Sequence, residues 1–165
     1  DRRCGGHITI AVDGFTGDEL REKIRLNAGI ILALFRKRLS NQYCNHNATM
    51  LSDMDTSNHV NGYHHKYQLA LVKGNCLEFR LPSRFENVKQ MMRRYELMYE
   101  VVDFSVNNPN GKHTDLLKKI RPLIVSMYSG DEAKADEILR IAKDMREFIK
   151  TGVMTEEIRG CFYGM

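Results

Sequence analysis

Two pairs of polar residues, each spaced two residues apart among apolar neighbours, have the clearest chemical potential in the sequence. His7 and Thr9 alternate with isoleucines near the start of the chain, and Glu78 and Arg80 alternate with leucine and phenylalanine in its middle. Residues two apart in a β-strand point to the same side of a sheet. If the two segments are strands of one sheet, a single face therefore presents an imidazole, a carboxylate and a guanidinium.

These three groups together suit the binding of metal ions and phosphates. Carboxylate and neutral imidazole groups are ligands for Mg²⁺ or Mn²⁺, and a guanidinium binds a carboxylate or a phosphate through two parallel hydrogen bonds. The pattern also allows a second interpretation. In it, these residues are only the solvated face of a half-exposed sheet, and Glu78 and Arg80 form ion pairs at the surface.

The alternation of polar and apolar residues predicts the strands that must position these side chains. One strand covers residues 7–12. Two more cover residues 67–72 and 76–81, and the glycine-containing segment 73–75 between them predicts a short antiparallel hairpin. The result is a sheet of three strands.

Helical periodicity predicts the elements that pack on this sheet. Thr16 and Glu19 have the spacing of a capping box, so a helix is predicted from Thr16 to about Arg38, followed by a long polar loop over residues 39–62. Pro122 is expected either to kink or to split the helix in which it lies. The further predicted helices cover about 87–106, Thr114 to about Tyr128, and 131–150, with a short helical turn near the end of the chain.

This order of elements predicts an α+β fold in which an antiparallel sheet has helices packed on one face, because the strands do not alternate regularly with helices. The 165 residues suffice for one domain. Within it, residues 1–106 contain the sheet and two helices, and residues 112–150 form a C-terminal helical part.

Charge and cysteine content narrow the possible partners and compartment. The chain has 25 Lys and Arg against 21 Asp and Glu, a net charge of +4, which is compatible with a phosphate-bearing ligand but too small to indicate nucleic-acid binding by itself. The apolar stretches are too short to span a membrane, and no pair of cysteines has the CxxC spacing of a zinc ribbon. We therefore expect a cytoplasmic protein with no membrane partner.

Three segments carry motifs that occur together, and in this order, in a known enzyme family. Residues 4–10 read Cys-Gly-Gly-His-Ile-Thr-Ile, residues 38–44 read Arg-Leu-Ser-Asn-Gln-Tyr-Cys, and residues 77–82 read Leu-Glu-Phe-Arg-Leu-Pro. They resemble the Cys-Gly-x-His-Val-His strand, the Tyr-Cys loop and the Ile-Glu-Phe-Arg strand of the amidoligases, carboxylate–amine ligases of the glutamine synthetase-like fold. The resemblance spans residues 4–106 and implies the catalytic half of that fold.

The resemblance also implies an activity and roles for individual residues. In such enzymes ATP, with Mg²⁺, phosphorylates a carboxylate substrate, and an amine substrate then attacks the acyl phosphate to form an amide or isopeptide bond. His7, Glu78 and Arg80 would be the catalytic core, with His7 beside the transferred phosphate, Glu78 and His7 as metal ligands, and Arg80 on a carboxylate or phosphate. Arg38 and Thr9 would contact the nucleotide, with Thr9 standing where the family has a second histidine. Because such ligases often build their pocket between subunits, a homo-oligomer is expected.

Two other classes of function remain open from the sequence. One is a degenerate, non-catalytic structural or interaction protein that keeps the sheet and has lost the site. The other is a basic nucleic-acid-binding or replication module. For that class, a nuclease site would need paired histidines on one face of a strand. His64 and His65 are adjacent, and adjacent strand residues point to opposite faces, so they are interpreted as the polar start of a strand. The basic edge of Lys89, Arg93 and Arg94 is interpreted as a solvated helix face.

Overall fold

The computed structural model describes residues 5–40 and 70–163. Within these ranges the chain forms an α+β fold, in which a three-stranded antiparallel sheet is combined with a larger helical part. The predicted fold class is therefore confirmed at this level.

The sheet consists of β1 (Ile8–Ala11), β2 (Ala70–Lys73) and β3 (Cys76–Phe79). Its strand order is β1-β3-β2, and both outer strands run antiparallel to the central β3. The predicted hairpin between β2 and β3 is confirmed, and its turn contains Gly74 with a φ of 58°, a conformation that glycine adopts without steric cost. Strands β1 and β3 are shorter than the alternation of polar and apolar residues predicted, and residues 67–69 of the predicted second strand lie outside the described ranges.

The prediction of one continuous helix from Thr16 to Arg38 is wrong. The predicted capping box does form, because Thr16 N–H donates to Glu19 Oε2 at 2.8 Å and Glu19 N–H donates to Thr16 Oγ1 at 3.2 Å. The helix then breaks into shorter pieces. These are α1 (Gly17–Ile24), a 3₁₀ turn (Arg25–Asn27), α2 (Gly29–Leu34) and a second 3₁₀ turn (Arg36–Arg38).

Two residues at the break explain why the helix does not continue. Asn27 and Gly29 are weak helix formers. Asn27 also donates from its side-chain amide to the Ser105 hydroxyl at 3.0 Å, and Gly29 lies so close to a neighbouring helix that a Cβ atom there would meet the Ala142 carbonyl oxygen at 2.5 Å. Tertiary contacts thus redirect the chain where its local helix propensity is low.

The second half of the chain is helical, as predicted. It contains α3 (Val88–Asn107), α4 (His113–Met127), α5 (Glu132–Thr151) and α6 (Glu156–Tyr163). Helix α4 begins at His113 with Lys112 as its N-cap, so the predicted cap at Thr114 is wrong, and Pro122 lies inside α4 without splitting it.

The core joins the apolar face of the sheet to the helices. Leu77 and Phe79 of β3 are buried together with Leu20 of α1, and α1 packs against β2, β3 and α3. Helix α2 packs along α5. Within residues 5–40 and 70–163, no helix has both the length and the apolar character that crossing a bilayer requires.

Candidate functional site

The register of the sheet brings the two predicted polar pairs to one face. Thr9 lies directly opposite Glu78, and Ile8 lies opposite Phe79. Because side chains alternate along each strand, His7 and Arg80 follow on the same face at the adjoining end of the two strands. The predicted juxtaposition of the imidazole, the carboxylate and the guanidinium is confirmed.

Glu78 is the centre of this cluster, which we call the polar wall and define as His7, Lys73, Glu78 and Arg80. Lys73 Nζ lies 2.6 Å from Glu78 Oε2, Arg80 Nη1 lies 3.1 Å from Glu78 Oε1, and His7 Nδ1 lies 3.6 Å from the same Oε1. One carboxylate thus lies between two cations and an imidazole.

Arg38 approaches the polar wall from the 3₁₀ turn that follows α2. Gly5 makes this possible, since a Cβ atom at that position would lie 3.2 Å from His7 Nε2 and 3.4 Å from Arg38 Nη2. The first distance is tight for a Cβ contact and the second is at the edge of ordinary contact, so the glycine leaves room mainly for the imidazole. Thr9 lies on the same face, but its exposed side chain forms no hydrogen bond with another residue of the described ranges.

The groups of the polar wall differ in their exposure to solvent. Glu78 is buried, and the Arg80 side chain is only 15% exposed, whereas 41% of the His7 side chain and 53% of the Lys73 side chain are exposed. A buried carboxylate is therefore ion-paired with a largely buried guanidinium, while the imidazole and the ammonium remain accessible to a ligand.

Glu78 is ionised at neutral pH. Burial by itself would raise the pKa of this carboxyl. The hydrogen bond and charge of Lys73, together with the charge of Arg80, outweigh burial and hold the pKa below its ordinary value.

His7 is neutral at neutral pH. Its burial, followed by the positive charge of Arg80, lowers the pKa of the imidazole, although the Glu78 carboxylate acts in the opposite direction. A neutral imidazole carries one lone pair that can accept a proton. The polar wall therefore combines a proton acceptor with more positive than negative charge.

The donor set of the polar wall suits an anion better than a divalent cation. Mg²⁺ is bound by oxygen ligands in a near-octahedral shell, and here one carboxylate and one imidazole lie among the cations Lys73, Arg80 and Arg38. No group of three or more His, Cys, Asp or Glu residues in the described ranges could hold a metal ion. These residues alone do not fit Mg²⁺, whereas the surplus of cations over Glu78 fits a phosphate or a second carboxylate.

Lys73 was not among the residues predicted for the site, because the sequence placed it only in the turn of the hairpin. The hairpin register pairs Lys73 with Cys76, which makes Glu78 its diagonal neighbour on the same face. Diagonal cross-strand neighbours lie within reach of long side chains. The ion pair between Lys73 and Glu78 could therefore have been predicted from the register of the hairpin.

The interpretation of Arg94 as part of a solvated basic edge is wrong. Arg94 is only 6% exposed, and its guanidinium donates to the Ser83 hydroxyl at 2.9 Å and lies over the rings of Phe35 and Phe85. Its neighbour Arg93 is partly exposed, as a residue on the edge of the helix should be.

Several residues of interest in the sequence lie outside the described ranges. They include the cysteines of two of the motifs, Cys4 and Cys44, and the adjacent histidines His64 and His65.

Comparisons with protein-family models, with curated proteins and with solved structures found no match for this chain.

Proposed function

We propose that the chain is an ATP-dependent carboxylate–amine ligase-like domain that forms an amide or isopeptide bond through an acyl phosphate. The observation that carries this proposal is the convergence of His7, Glu78 and Arg80 on the polar wall, with Glu78 Oε1 3.6 Å from His7 Nδ1 and 3.1 Å from Arg80 Nη1. The resemblance to amidoligases selects the same three residues on other grounds.

The proposed reaction has two steps. A carboxylate oxygen of the substrate attacks the terminal phosphorus of ATP, the bond from that phosphorus to the ADP oxygen breaks, and an acyl phosphate and ADP result. The amine then attacks the acyl carbon, the bond to phosphate breaks, and the nitrogen loses a proton to leave the amide. Negative charge is present on the transferred group throughout, so charge neutralisation and positioning are the main tasks of the protein.

The polar wall is suited to both tasks. Arg80, held by Glu78, presents a fixed guanidinium, and Lys73 adds an accessible ammonium, so the transferred phosphoryl group would meet positive charge. The lowered pKa of His7 leaves its imidazole neutral near pH 7, and it can accept the proton that the amine loses.

The ion pairs of Glu78 also favour a second candidate, a non-catalytic protein that keeps the same sheet. With Lys73 Nζ at 2.6 Å and Arg80 Nη1 at 3.1 Å, the Glu78 carboxylate is already engaged by two cations. In such a protein the polar wall would serve stability only.

Trapping of the acyl phosphate separates these two candidates. The chain is incubated with ATP, Mg²⁺, hydroxylamine and a mixture of the common amino acids, and phosphate release and hydroxamate formation are both measured. Arg80→Lys keeps the charge but loses the two-pronged donor, and His7→Gln removes the proton acceptor. Each is expected to lower hydroxamate formation by about 100-fold.

The matched control is Arg159→Lys, which makes the same change on the exposed surface of α6 and should leave the rate unchanged. The unfolding midpoint of each variant shows that it is folded. Absence of hydroxamate from the folded wild-type chain, or equal rates in wild type and Arg80→Lys, would contradict the ligase proposal and favour the non-catalytic candidate.

A further inference from the structure

Two adjoining cavities lie where α2 ends and α3 begins. One has a volume of about 630 Å³ and the other about 370 Å³, and Leu34, Phe35, Ser83 and Tyr128 line both. Several basic side chains line these cavities, and no acidic residue of the described ranges does. We call the two cavities the basic groove and define its key cations as Lys37, Lys89, Arg93 and Arg94.

Three of these cations have no partner within the described part of the chain. Lys37, Lys89 and Arg93 form neither an ion pair nor a side-chain hydrogen bond there. Some other surface cations of the described residues are paired, as Arg121 is with Asp136 at 2.9 Å, and the unpaired Lys150 and Arg159 do not line the groove. The basic groove therefore concentrates positive charge that the described residues do not neutralise.

Arg94 adds a buried positive charge to the same cavities. It is 6% exposed and is held by the Ser83 hydroxyl and by the rings of Phe35 and Phe85, at 5.0 and 5.2 Å from its guanidinium carbon. Its guanidinium also donates to the Ser83 and Arg84 carbonyl oxygens, and the Glu86 carboxylate acts on it from beyond ion-pair distance. Arginine is seldom buried without an anionic partner, so the wall of the basic groove contains a cation that an anion in the cavity would stabilise.

The size of the cavities and their charge indicate the class of ligand. Their volumes fall in the range of small-molecule sites. A ligand that neutralises the cations of the groove must therefore carry several negative charges within a small volume. A phosphate monoester carries about 1.5–2 negative charges at pH 7, whereas a carboxylate carries one. Adjacent phosphates thus match three unpaired cations and a buried one more closely than a peptide with separate carboxylates does.

We propose that the basic groove binds a small polyphosphate, either inorganic or the phosphate chain of a nucleotide. The groove lies beside the polar wall, because Arg38 lines the smaller cavity and approaches His7 across Gly5. The proposal depends on the cations of the groove and not on the ligase reaction.

Isothermal titration of the 165-residue chain with sodium tripolyphosphate, and separately with ATP, tests the proposal. The double variant Lys89→Ala/Arg93→Ala removes two unpaired cations from the groove and should weaken tripolyphosphate binding about tenfold or more. The matched control, Lys150→Ala/Arg159→Ala, removes the same charge from exposed positions of α5 and α6 and should bind as the wild type does.

The two ligands identify the source of the phosphates. Equal affinities support an inorganic or purely phosphate-directed site, and tighter binding of ATP supports a nucleotide. Absence of binding at millimolar tripolyphosphate and ATP would overturn the proposal, as would equal weakening in the control variant. A single-stranded oligonucleotide that binds tenfold more tightly than tripolyphosphate would also overturn it, in favour of a nucleic-acid surface. If the polar wall has no ligase activity, the measured affinities for tripolyphosphate and ATP still test this proposal.

Discussion

Replacing Glu78 with glutamine is the most direct test of the charge balance in the polar wall. The substitution keeps the shape of the side chain and removes the carboxylate charge whose oxygens lie within 3.6 Å of His7, Lys73 and Arg80. Lys73 and Arg80 then lose their ion pairs with this carboxylate, and the Arg80 side chain is largely buried. We expect the variant to fold and to be less stable.

The loss of stability follows mainly from Arg80. Removing one partner of a buried ion pair typically costs about 3–5 kcal/mol, and the Arg80 side chain is only 15% exposed. The Lys73 side chain is 53% exposed, so its share is that of a surface pair, about 0.5 kcal/mol. We expect the free energy of unfolding to fall by about 3 kcal/mol, which lowers the melting temperature by roughly 6–12 °C for a chain of this size.

Urea unfolding followed by circular dichroism measures the change, and its pH dependence checks the cause. The pKa of Glu78 is lowered in the folded chain from an ordinary value of 4.5, so its stabilisation is complete above that pH and is lost as the pH falls through the folded value. The difference between wild type and Glu78→Gln should therefore be largest at neutral pH and should shrink in acid.

Two further variants complete this experiment. Glu22→Gln, on the exposed surface of α1, should change stability by less than about 0.5 kcal/mol. The double variant Glu78→Gln/Arg80→Gln should lose less than the sum of the single losses, because both partners of one ion pair are removed together. The reasoning is refuted if Glu78→Gln stays within 0.5 kcal/mol of wild type, or if its deficit does not depend on pH.

Two other features of the fold lead to predictions of stability. His113 is buried, and its burial, with the charges of Lys143 and Arg146, lowers its pKa from 6.5 to about 4. Its stabilisation is therefore complete above pH 6.5 and is lost as the pH falls towards 4. This loss amounts to roughly 3 kcal/mol, and urea unfolding between pH 4 and 8 should show it in wild type but not in His113→Leu. Gly29→Ala should lower the free energy of unfolding by about 1–3 kcal/mol, since the new Cβ atom would meet the Ala142 carbonyl oxygen at 2.5 Å. An unchanged urea midpoint would show that α2 and α5 can separate without cost.

The elements whose cause is local could be predicted from the sequence. The hairpin of β2 and β3 follows from two alternating segments around Gly74, and the start of α1 follows from the capping box of Thr16 and Glu19, whose hydrogen bonds both form. The shared face of His7 and Glu78 was also predictable, because side-chain direction alternates by a fixed rule along a strand. In each case the deciding contacts lie within a few residues or follow from the pleat.

The features that the sequence periodicity did not predict depend on packing between segments that are far apart in the chain. The break at Gly29 depends on the Ala142 backbone of α5, more than a hundred residues later, and the burial of Arg94 depends on the rings of Phe35 and Phe85. The basic groove likewise forms where the end of α2 meets the start of α3.

The sequence by itself thus determined the faces, the hairpin and most of the helices of this protein, because hydrogen bonding and side-chain alternation act over a few positions along the chain. Tertiary structure alone decided which charges are neutralised and which remain available. Neutralisation depends on distances of a few ångströms between side chains and on their exclusion from water, and these are set only when remote elements pack together.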